Sequence, residues 1–182
     1  MIRGKNVCLR MIRESDLARL IEKMNDLDLR GEWFPHTLAS EVTIRKEFDK
    51  NGLWSNEFGR MVVCDKEGKV VGGIWFFQIA RYIDGLEIGY MMFDRENRNR
   101  GMMTEAVRLL TDYLFATKKI NRLQLAIMIP NEPSKRVAQK CGYKFEGIAR
   151  GAVFQRGQSE DVEMYSILRG ETPGSADASP EG

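Results

Sequence analysis

The spacing of the apolar residues changes at Gly101, and no other feature of the sequence constrains the fold as strongly. Before Gly101, segments 69–79 and 86–93 are rich in β-branched and aromatic residues and are predicted to be strands. After it, segment 101–119 carries an apolar stripe at helical spacing, formed by Val107, Leu110, Leu114 and Phe115. The chain must therefore pass from a strand into a long helix through the polar stretch 94–100.

Similar patterns predict the other elements of a mixed α+β domain. Segments 59–65 and 69–79, separated by the turn at 66–68, are predicted to form an antiparallel hairpin. The other predicted strands are 7–11, 122–129, 143–150 and 161–168. The other predicted helices begin near Glu14, near Ser40 and at Pro133, and Ser15 or Asp16 is expected to cap the first of them.

Length and composition favour one domain in a reducing compartment. The 182 residues fit a single domain over 1–169, followed by a segment, 170–182, that has too few apolar residues to order and is predicted to be a disordered tail. A net charge of +2 with interleaved signs gives no reason to expect a nucleic acid. Three widely spaced cysteines predict neither a disulfide framework nor a metal site. No apolar run is long enough to span a membrane, so we expect a cytoplasmic protein.

The polar stretch before the long helix is a candidate anion site. A helix N-terminus presents unpaired amides and partial positive charge, and Gly101 lacks the Cβ that would obstruct a phosphate. Arg98 and Arg100 add charge and hydrogen-bond donors. The alternative is an ordinary helix start behind a solvated basic loop. A Walker-type ATP site is disfavoured because the Gly-Lys-Ser/Thr ending is absent.

Three motifs resemble those of the GNAT superfamily and, within it, the ribosomal-protein N-acetyltransferases of the RimJ/RimL type. Segment 98–103, Arg-Asn-Arg-Gly-Met-Met, is similar to the superfamily loop Arg/Gln-x-x-Gly-x-Gly/Ala except at its last position. Segment 131–147 resembles the pattern of Asn, Ser, Val-Ala and Gly-Phe-x-x-Glu-Gly. The ending at 157–165 is similar to the last hairpin of that branch. The resemblance extends from about residue 7 to residue 168.

The resemblance implies a fold and an activity. The implied fold is a twisted, mostly antiparallel sheet of six to seven strands, flanked by about four helices. The implied activity is transfer of an acetyl group from acetyl-CoA to a primary amine, which is either a protein N-terminus or a small molecule such as a polyamine or an antibiotic. No metal is implied, and a homodimer is left open. The alternative is a non-catalytic acyl-CoA-binding regulatory module.

The resemblance also assigns residues to acetyl-CoA and to proton transfer. Ser134 is the implied general acid at the CoA sulfur, and Glu87 is the carboxylate best placed to draw the amine proton through a water. Val153 stands where RimL-type sequences tend to have a glutamate, so this chain departs from the branch at the expected base. The residues expected to bind acetyl-CoA are Met92, Phe93, Arg98, Asn99, Arg100, Gly101, Met102, Met103, Thr104, Asn131 and Ser134.

Candidates for the acceptor side come from aromatic and acidic segments. The residues expected to contact the amine substrate are Trp33, His36, Trp75 and Tyr90. Acidic residues outnumber basic ones around the first helices and would favour a cationic acceptor if they face the cleft, although a solvated helix face explains them equally well. These acids are Asp26, Asp28, Glu32, Glu41, Glu47 and Asp49. Cys141 is a weak candidate for an acyl-carrying nucleophile because no histidine is near it in sequence.

Overall fold

The computed structural model describes residues 1–31 and 33–172. The described helices are α1 (Glu14–Asn25), α2 (Leu27–Arg30), α3 (Glu41–Asn51), α4 (Met102–Thr117) and α5 (Glu132–Lys140). The strands are β1 (Ile2–Arg3), β2 (Cys8–Met11), β3 (Phe58–Cys64), β4 (Val70–Gln78), β5 (Gly85–Met92), β6 (Arg122–Met128), β7 (Lys144–Gln155) and β8 (Gln158–Leu168). Over these residues, no helix is both long and apolar enough to cross a membrane.

All of these strands belong to one sheet, whose order is β1-β2-β3-β4-β5-β6-β8-β7. Every neighbouring pair is antiparallel except β5 and β6, which are parallel. The predicted mixed fold is therefore confirmed. Its described part has eight strands and five helices rather than six to seven and about four. The two-residue β1 and the single-turn α2 are too short to leave a periodic pattern in the sequence.

Helix α4 covers one face of the sheet, as its sequence predicts. The stripe residues Val107, Leu110, Leu114 and Phe115 are all buried. They belong to one core cluster with Ile88 of β5 and Leu125 of β6. Fully burying side chains of this size is worth roughly 1.5–3 kcal/mol each. This packing fixes the start of α4 against the carboxyl end of β5, where the polar stretch 94–100 lies.

Helices α1 and α3 cover the opposite face. Leu17, Leu20 and Met24 of α1 pack with Ile44 of α3 and Met91 of β5 in a second core cluster. Because successive side chains of a strand point to opposite faces, Ile88 and Met91 belong to different layers of the molecule. The sheet thus has an α4/α5 face and an α1/α3 face, and both contribute to the site described below.

The start of α1 differs from the sequence prediction. The residue before the helix is Arg13, so Ser15 and Asp16 lie in the first turn and neither is the cap residue. Asp16 still satisfies a free amide, because its carboxylate accepts the backbone N–H of Arg13 at 2.8 Å. The same carboxylate binds the Arg10 guanidinium through two contacts, at 2.6 and 2.9 Å. Sequence spacing could not show this partner on β2.

The end of the described chain bears on the predicted domain boundary. Gly170 and Glu171 lie in a short 3-10 helix, Arg169–Glu171, that directly follows β8. Arg169 donates to the carbonyl of Ile120 at 3.0 Å, which ties this turn to the segment between α4 and β6. The rest of the predicted tail, 173–182, lies outside the described residues.

Strands β5 and β6 pair over only three residues each. Gly85, Leu86 and Glu87 are opposite Arg122, Leu123 and Gln124, and no pairing between the two strands continues beyond them. β5 nevertheless runs on to Met92 and stays paired with β4, and β6 runs on to Met128 and stays paired with β8. The centre of the sheet therefore opens into a wedge-shaped gap between two strands that are each held on their outer side.

Candidate active site

The gap between β5 and β6 is the floor of a cleft of about 470 Å³. Its walls on the strands are residues 88–92 of β5 and 125–128 of β6. The polar stretch 97–101 and the first turn of α4 close one end, and residues of α5 line one side. Leu29, Arg30, Trp33 and Phe34 line the cleft on the α1/α3 side. The cleft therefore opens toward both faces of the sheet.

The turn before α4 has the backbone geometry that its glycine predicts. Gly101 is the residue before α4 and has a φ of +76°, in the left-handed region that favours glycine. Glu105 donates its backbone N–H to the Gly101 carbonyl at 3.1 Å and is the first residue of the helix to find an acceptor. The amides of Gly101, Met102, Met103 and Thr104 have no acceptor within the described chain. A row of free amides at a helix N-terminus is a ready site for a phosphate.

All charged side chains that line the cleft are basic, as far as the chain is described. They are Arg30, Arg98, Arg100, Arg136 and Lys140. Arg98 and Arg100 are exposed beside the helix start and form no ion pair with a described carboxylate. Phosphate oxygens attract guanidinium groups that can form charge-assisted hydrogen bonds. The residues present therefore fit the phosphates of CoA.

The acids that would have favoured a cationic acceptor do not line this cleft. Asp26 accepts the backbone N–H of Leu29 at the start of α2, and Glu41 pairs with Arg45 on the surface of α3. Asp28, Glu47 and Asp49 are exposed and also lie outside the cleft lining. Glu32 lies outside the described residues. A solvated surface thus accounts for the described acids.

Ser134 is held in the cleft by two neighbours. Its backbone N–H donates to Oδ1 of Asn131, the cap residue of α5, at 3.2 Å. Its Oγ lies 2.6 Å from the Tyr90 hydroxyl oxygen, on the middle of β5. Burial raises the pKa of Tyr90, so this hydroxyl stays protonated near neutral pH and is able to donate. When Tyr90 donates to Ser134, the Ser134 hydroxyl can itself donate a hydrogen bond to a third group in the cleft.

Glu87 lies at the point where β5 and β6 separate. Its Oε2 accepts a hydrogen bond from Nε2 of Gln124 at 2.8 Å, so its described partner is an amide and not a cation. Burial raises the pKa of the Glu87 carboxyl above its ordinary value. By alternation along β5, Glu87 shares the α1/α3 face with Met91, and Tyr90 faces α5. The acid and base candidates therefore lie on opposite faces of the gap, although Glu87 itself does not line the cleft.

The position of Val153 is informative because of its neighbour across the hairpin. Val153 on β7 is opposite Glu160 on β8, and opposite residues of an antiparallel pair project to the same face. A carboxylate is therefore present next to the position at which the branch tends to have one. The sequence does not reveal this pairing, because the register of β7 and β8 is interrupted between Ala149 and Val153.

Some of the other predicted site residues line the cleft and others do not. Trp33 and Tyr90 line it, whereas Trp75 lines a smaller cavity beside it. His36 lines neither cavity, and its Nε2 lies 2.9 Å from the carbonyl oxygen of Gly31. Phe93 is among the residues expected to contact acetyl-CoA, but its side chain is buried in the second core cluster and does not line the cleft. The remaining residues expected to bind CoA, Met92, Asn99, Met102, Met103, Thr104 and Asn131, all line the cleft.

Cys141 has the environment of an inert thiol. It is buried, its Sγ donates to the carbonyl oxygen of Thr104 at 3.3 Å, and burial raises its pKa to about 11. A thiolate nucleophile needs a lowered pKa, so the structure gives no support to covalent catalysis by Cys141. The described residues also include no group of three or more side chains of the types His, Cys, Asp and Glu that would hold a metal.

Comparison with known proteins shows the family. A family model described as an acetyltransferase (GNAT) domain matches residues 6–144. The chain belongs to the GNAT acetyltransferases. It is 39% identical over 176 residues to the probable N-acetyltransferase YjcK of Bacillus subtilis, an alignment that covers 92% of this chain and 97% of the relative. The predicted acetyl-CoA-dependent N-acetyltransferase activity is confirmed at the level of this family.

More distant GNAT relatives agree with the fold and with the predicted branch. The ribosomal-protein-serine acetyltransferase of Escherichia coli is 26% identical over 136 residues, which cover 74% of this chain and 75% of that protein. A crystal structure of spermidine N-acetyltransferase from Vibrio cholerae, in complex with CoA and spermine, superposes with a TM-score of 0.79 at 21% identity. It covers 91% of this chain and 96% of that one. At this identity the superposition shows the fold alone.

Proposed function

We propose that this GNAT enzyme acetylates a primary amine that enters the cleft from the α1/α3 side, beside Trp33, and that Ser134 protonates the leaving sulfur. One observation carries the proposal, namely that the cleft is lined from both faces of the sheet. On one side the Tyr90 hydroxyl oxygen lies 2.6 Å from Ser134 Oγ. The residues that line the other side are Arg30, Trp33 and Phe34. Acetyl-CoA supplies the thioester. The gap lets a donor and an acceptor meet from opposite faces of the sheet.

Ser134 acts on the leaving group. Thiols titrate near pH 8.5, so a thiolate is a better leaving group when a hydroxyl donates to it. The Ser134 hydrogen is free for this donation when Oγ accepts from Tyr90. The hydrogen bond from Tyr90 stabilises the serine oxygen as its proton moves to the sulfur, and water in the open cleft returns a proton to Ser134 after the thiol has formed. Tyr90 thereby positions the serine hydroxyl and remains protonated.

Glu87 acts on the incoming amine. An alkylammonium titrates near pH 10 and must lose a proton before it can attack. A buried carboxylate with a raised pKa is a stronger base than one in water, and Glu87 lies on the face from which the amine arrives. Because Glu87 does not line the cleft, we propose that a water carries the proton between the amine and this carboxylate.

Replacing Glu87 with glutamine tests this route. We expect kcat to fall about 30-fold, because the isosteric amide keeps the shape but cannot accept a proton. In the wild-type enzyme, kcat/KM is expressed per neutral amine and should fall as the pH falls through the pKa of Glu87. Burial raises this pKa above the ordinary value of 4.5. Protonation removes the base, so activity is present above that pKa and absent below it. The variant should lack this acidic limb.

Glu160→Gln is the matched control for Glu87→Gln. Glu160 is also a half-buried carboxylate on a strand, and it lies beside Val153. We expect the control to keep both the rate and the acidic limb within about twofold. Loss of the limb in Glu160→Gln, with a normal profile in Glu87→Gln, would assign the base to β8.

The function itself is tested by following thiol release from acetyl-CoA. The panel should include peptides with free N-termini, small amino acids and their amides, and polyamines. We expect thiol release that depends on the amine and a matching mass increase of one acetyl group on it. Tight acetyl-CoA binding without thiol release for any of these amines would contradict the proposal and favour a non-catalytic acyl-CoA-binding module.

A further inference from the structure

A small cavity of about 80 Å³ adjoins the main cleft on the α1/α3 side. The linings of the two cavities share Arg30, Phe34 and Met91, so the smaller cavity lies directly beside the cleft. Most of the walls of the smaller cavity are apolar: Ile12, Leu20, Met24, Met61, Ile74, Trp75 and Phe93. Two arginines, Arg30 and Arg60, are its charged lining residues. We call this cavity the Arg60 pocket.

Arg60 lies in this pocket without a counter-ion. It projects from β3, and the centre of its guanidinium is 5.4 Å from the Phe58 ring centroid and 5.8 Å from that of Trp75. Its described hydrogen bond goes to the sulfur of Met24, a weak acceptor, at 3.0 Å. No described carboxylate lies within ion-pair distance of it. Arg60 is partly removed from water, and this burial lowers its pKa.

Arg30 brings a second guanidinium to the same pocket. Its Nε donates to the Met24 carbonyl at 2.7 Å and its Nη1 to the Pro35 carbonyl at 2.6 Å. These carbonyls fix the side chain but do not neutralise it. The carboxylate of Glu47 on α3 raises the pKa of Arg60 against the larger effect of burial. Glu47 is exposed and lies beyond ion-pair distance of the Arg60 guanidinium. The pocket thus holds two positive charges among apolar walls.

Two partly buried guanidinium groups without a counter-ion are unfavourable in free energy unless a ligand supplies the opposite charge. Placing charges in an apolar site without an opposite charge is unfavourable, and two like charges close together add to that cost. A carboxylate relieves both, because a guanidinium can bind both of its oxygens. The volume of about 80 Å³ suits a group of that size. An extended polyamine would meet like charge at this end of the cleft.

We propose that the Arg60 pocket binds a carboxylate of the amine acceptor, so that the acceptor is an amino acid, a related amino acid derivative or a peptide with an acidic side chain near its N-terminus. This inference rests on the proposed function, because it names the substrate class for the same cleft. It separates this enzyme from GNAT relatives whose acceptor is a polycation. Arg60 is then a specificity-determining residue, and Arg30 supports it.

The kinetic test compares acceptors that differ in one group. The acceptors are amino acids of increasing chain length and their carboxamides, with spermidine as the polycation, and kcat/KM is expressed per neutral amine. We expect at least one acid to be preferred about 30-fold over its carboxamide. Arg60→Met should remove that preference through KM, with the acetyl-CoA Kd unchanged. Arg60→Lys should keep part of it, because it retains the charge and loses the two-point geometry.

A matched control and a binding measurement separate this inference from the activity. Arg45→Met removes an arginine from the surface of α3, outside both cavities, and should leave the preference intact. Titration of succinate into the CoA-bound protein should show binding to the wild type and a loss of about 30-fold in Arg60→Met, whether or not any amine is acetylated. Equal use of acids and amides, better use of spermidine, or succinate binding that ignores Arg60 would overturn the inference.

Discussion

Replacing Ser134 with alanine is expected to lower kcat about 100-fold, with the Kd of acetyl-CoA unchanged within about twofold. The hydroxyl acts on the sulfur only as the thioester breaks, so its removal affects the transition state and not the bound state. Alanine keeps the backbone N–H that Asn131 accepts, and α5 should therefore form normally. Steady-state kinetics with saturating amine and equilibrium binding of acetyl-CoA measure the two quantities.

Tyr90→Phe is the control that separates the two hydroxyls. We expect a smaller fall in kcat, about tenfold, because a water can replace the tyrosine as the donor to Ser134. The two variants should not be additive, since both hydroxyls belong to one hydrogen-bonded pair. A large fall in Tyr90→Phe together with normal turnover in Ser134→Ala would make Tyr90 the acid and remove Ser134 from that role.

Replacing Gly101 with valine should weaken acetyl-CoA binding about 100-fold. The glycine directly precedes α4 and has a φ of +76°, where a β-branched residue is strained. Apart from Gly101 and its two chain neighbours, no atom of the described residues lies within 4 Å of the position of an added Cβ, so the side chain would project into open space over the helix start. A phosphate at the free amides would meet it there. Equilibrium titration with CoA and with acetyl-CoA measures the loss.

Gly52→Val is the control for this variant, because it introduces similar backbone strain at a position outside the cleft. Gly52 directly follows α3, lies away from the cleft and has a φ of +65°, and apart from its chain neighbours no described atom lies within 4 Å of an added Cβ. It should lower thermal stability about as much as Gly101→Val does and leave CoA affinity unchanged. Equal loss of affinity in both variants would show that strain alone is responsible, and that the phosphates do not approach Gly101.

The sequence predicted the parts of the site that depend on neighbouring residues. The change of apolar period located the start of α4 within one residue, and Gly101 after two arginines marked the turn for which a phosphate is the proposed ligand. The same reasoning placed Ser134 near the start of α5, although it did not predict that the side chain of Asn131 would accept the Ser134 amide. These features are local, because each is set by one helix end or one turn.

The parts that depend on strand order could not be predicted in this way. Tyr90 and Ser134 are 44 residues apart and meet only because β5 and β6 are neighbours in the sheet. Arg60 reaches the Arg60 pocket from β3, and Arg30 reaches it from the single-turn α2. The acidic residues near them in sequence suggested the opposite charge. Counting charges along a segment does not show which of them face inward.

The separation of β5 and β6 also determines how the two halves of the molecule are joined. Three residue pairs connect the strands β1 to β5 with β6, β8 and β7, and beyond them the inner edges expose backbone groups to the gap. We expect the amide groups of a bound CoA to find hydrogen-bond partners along these edges. A ligand held there would bridge the two halves of the sheet. At a concentration of 100 times its Kd, such a ligand would add about 2.7 kcal/mol of stability.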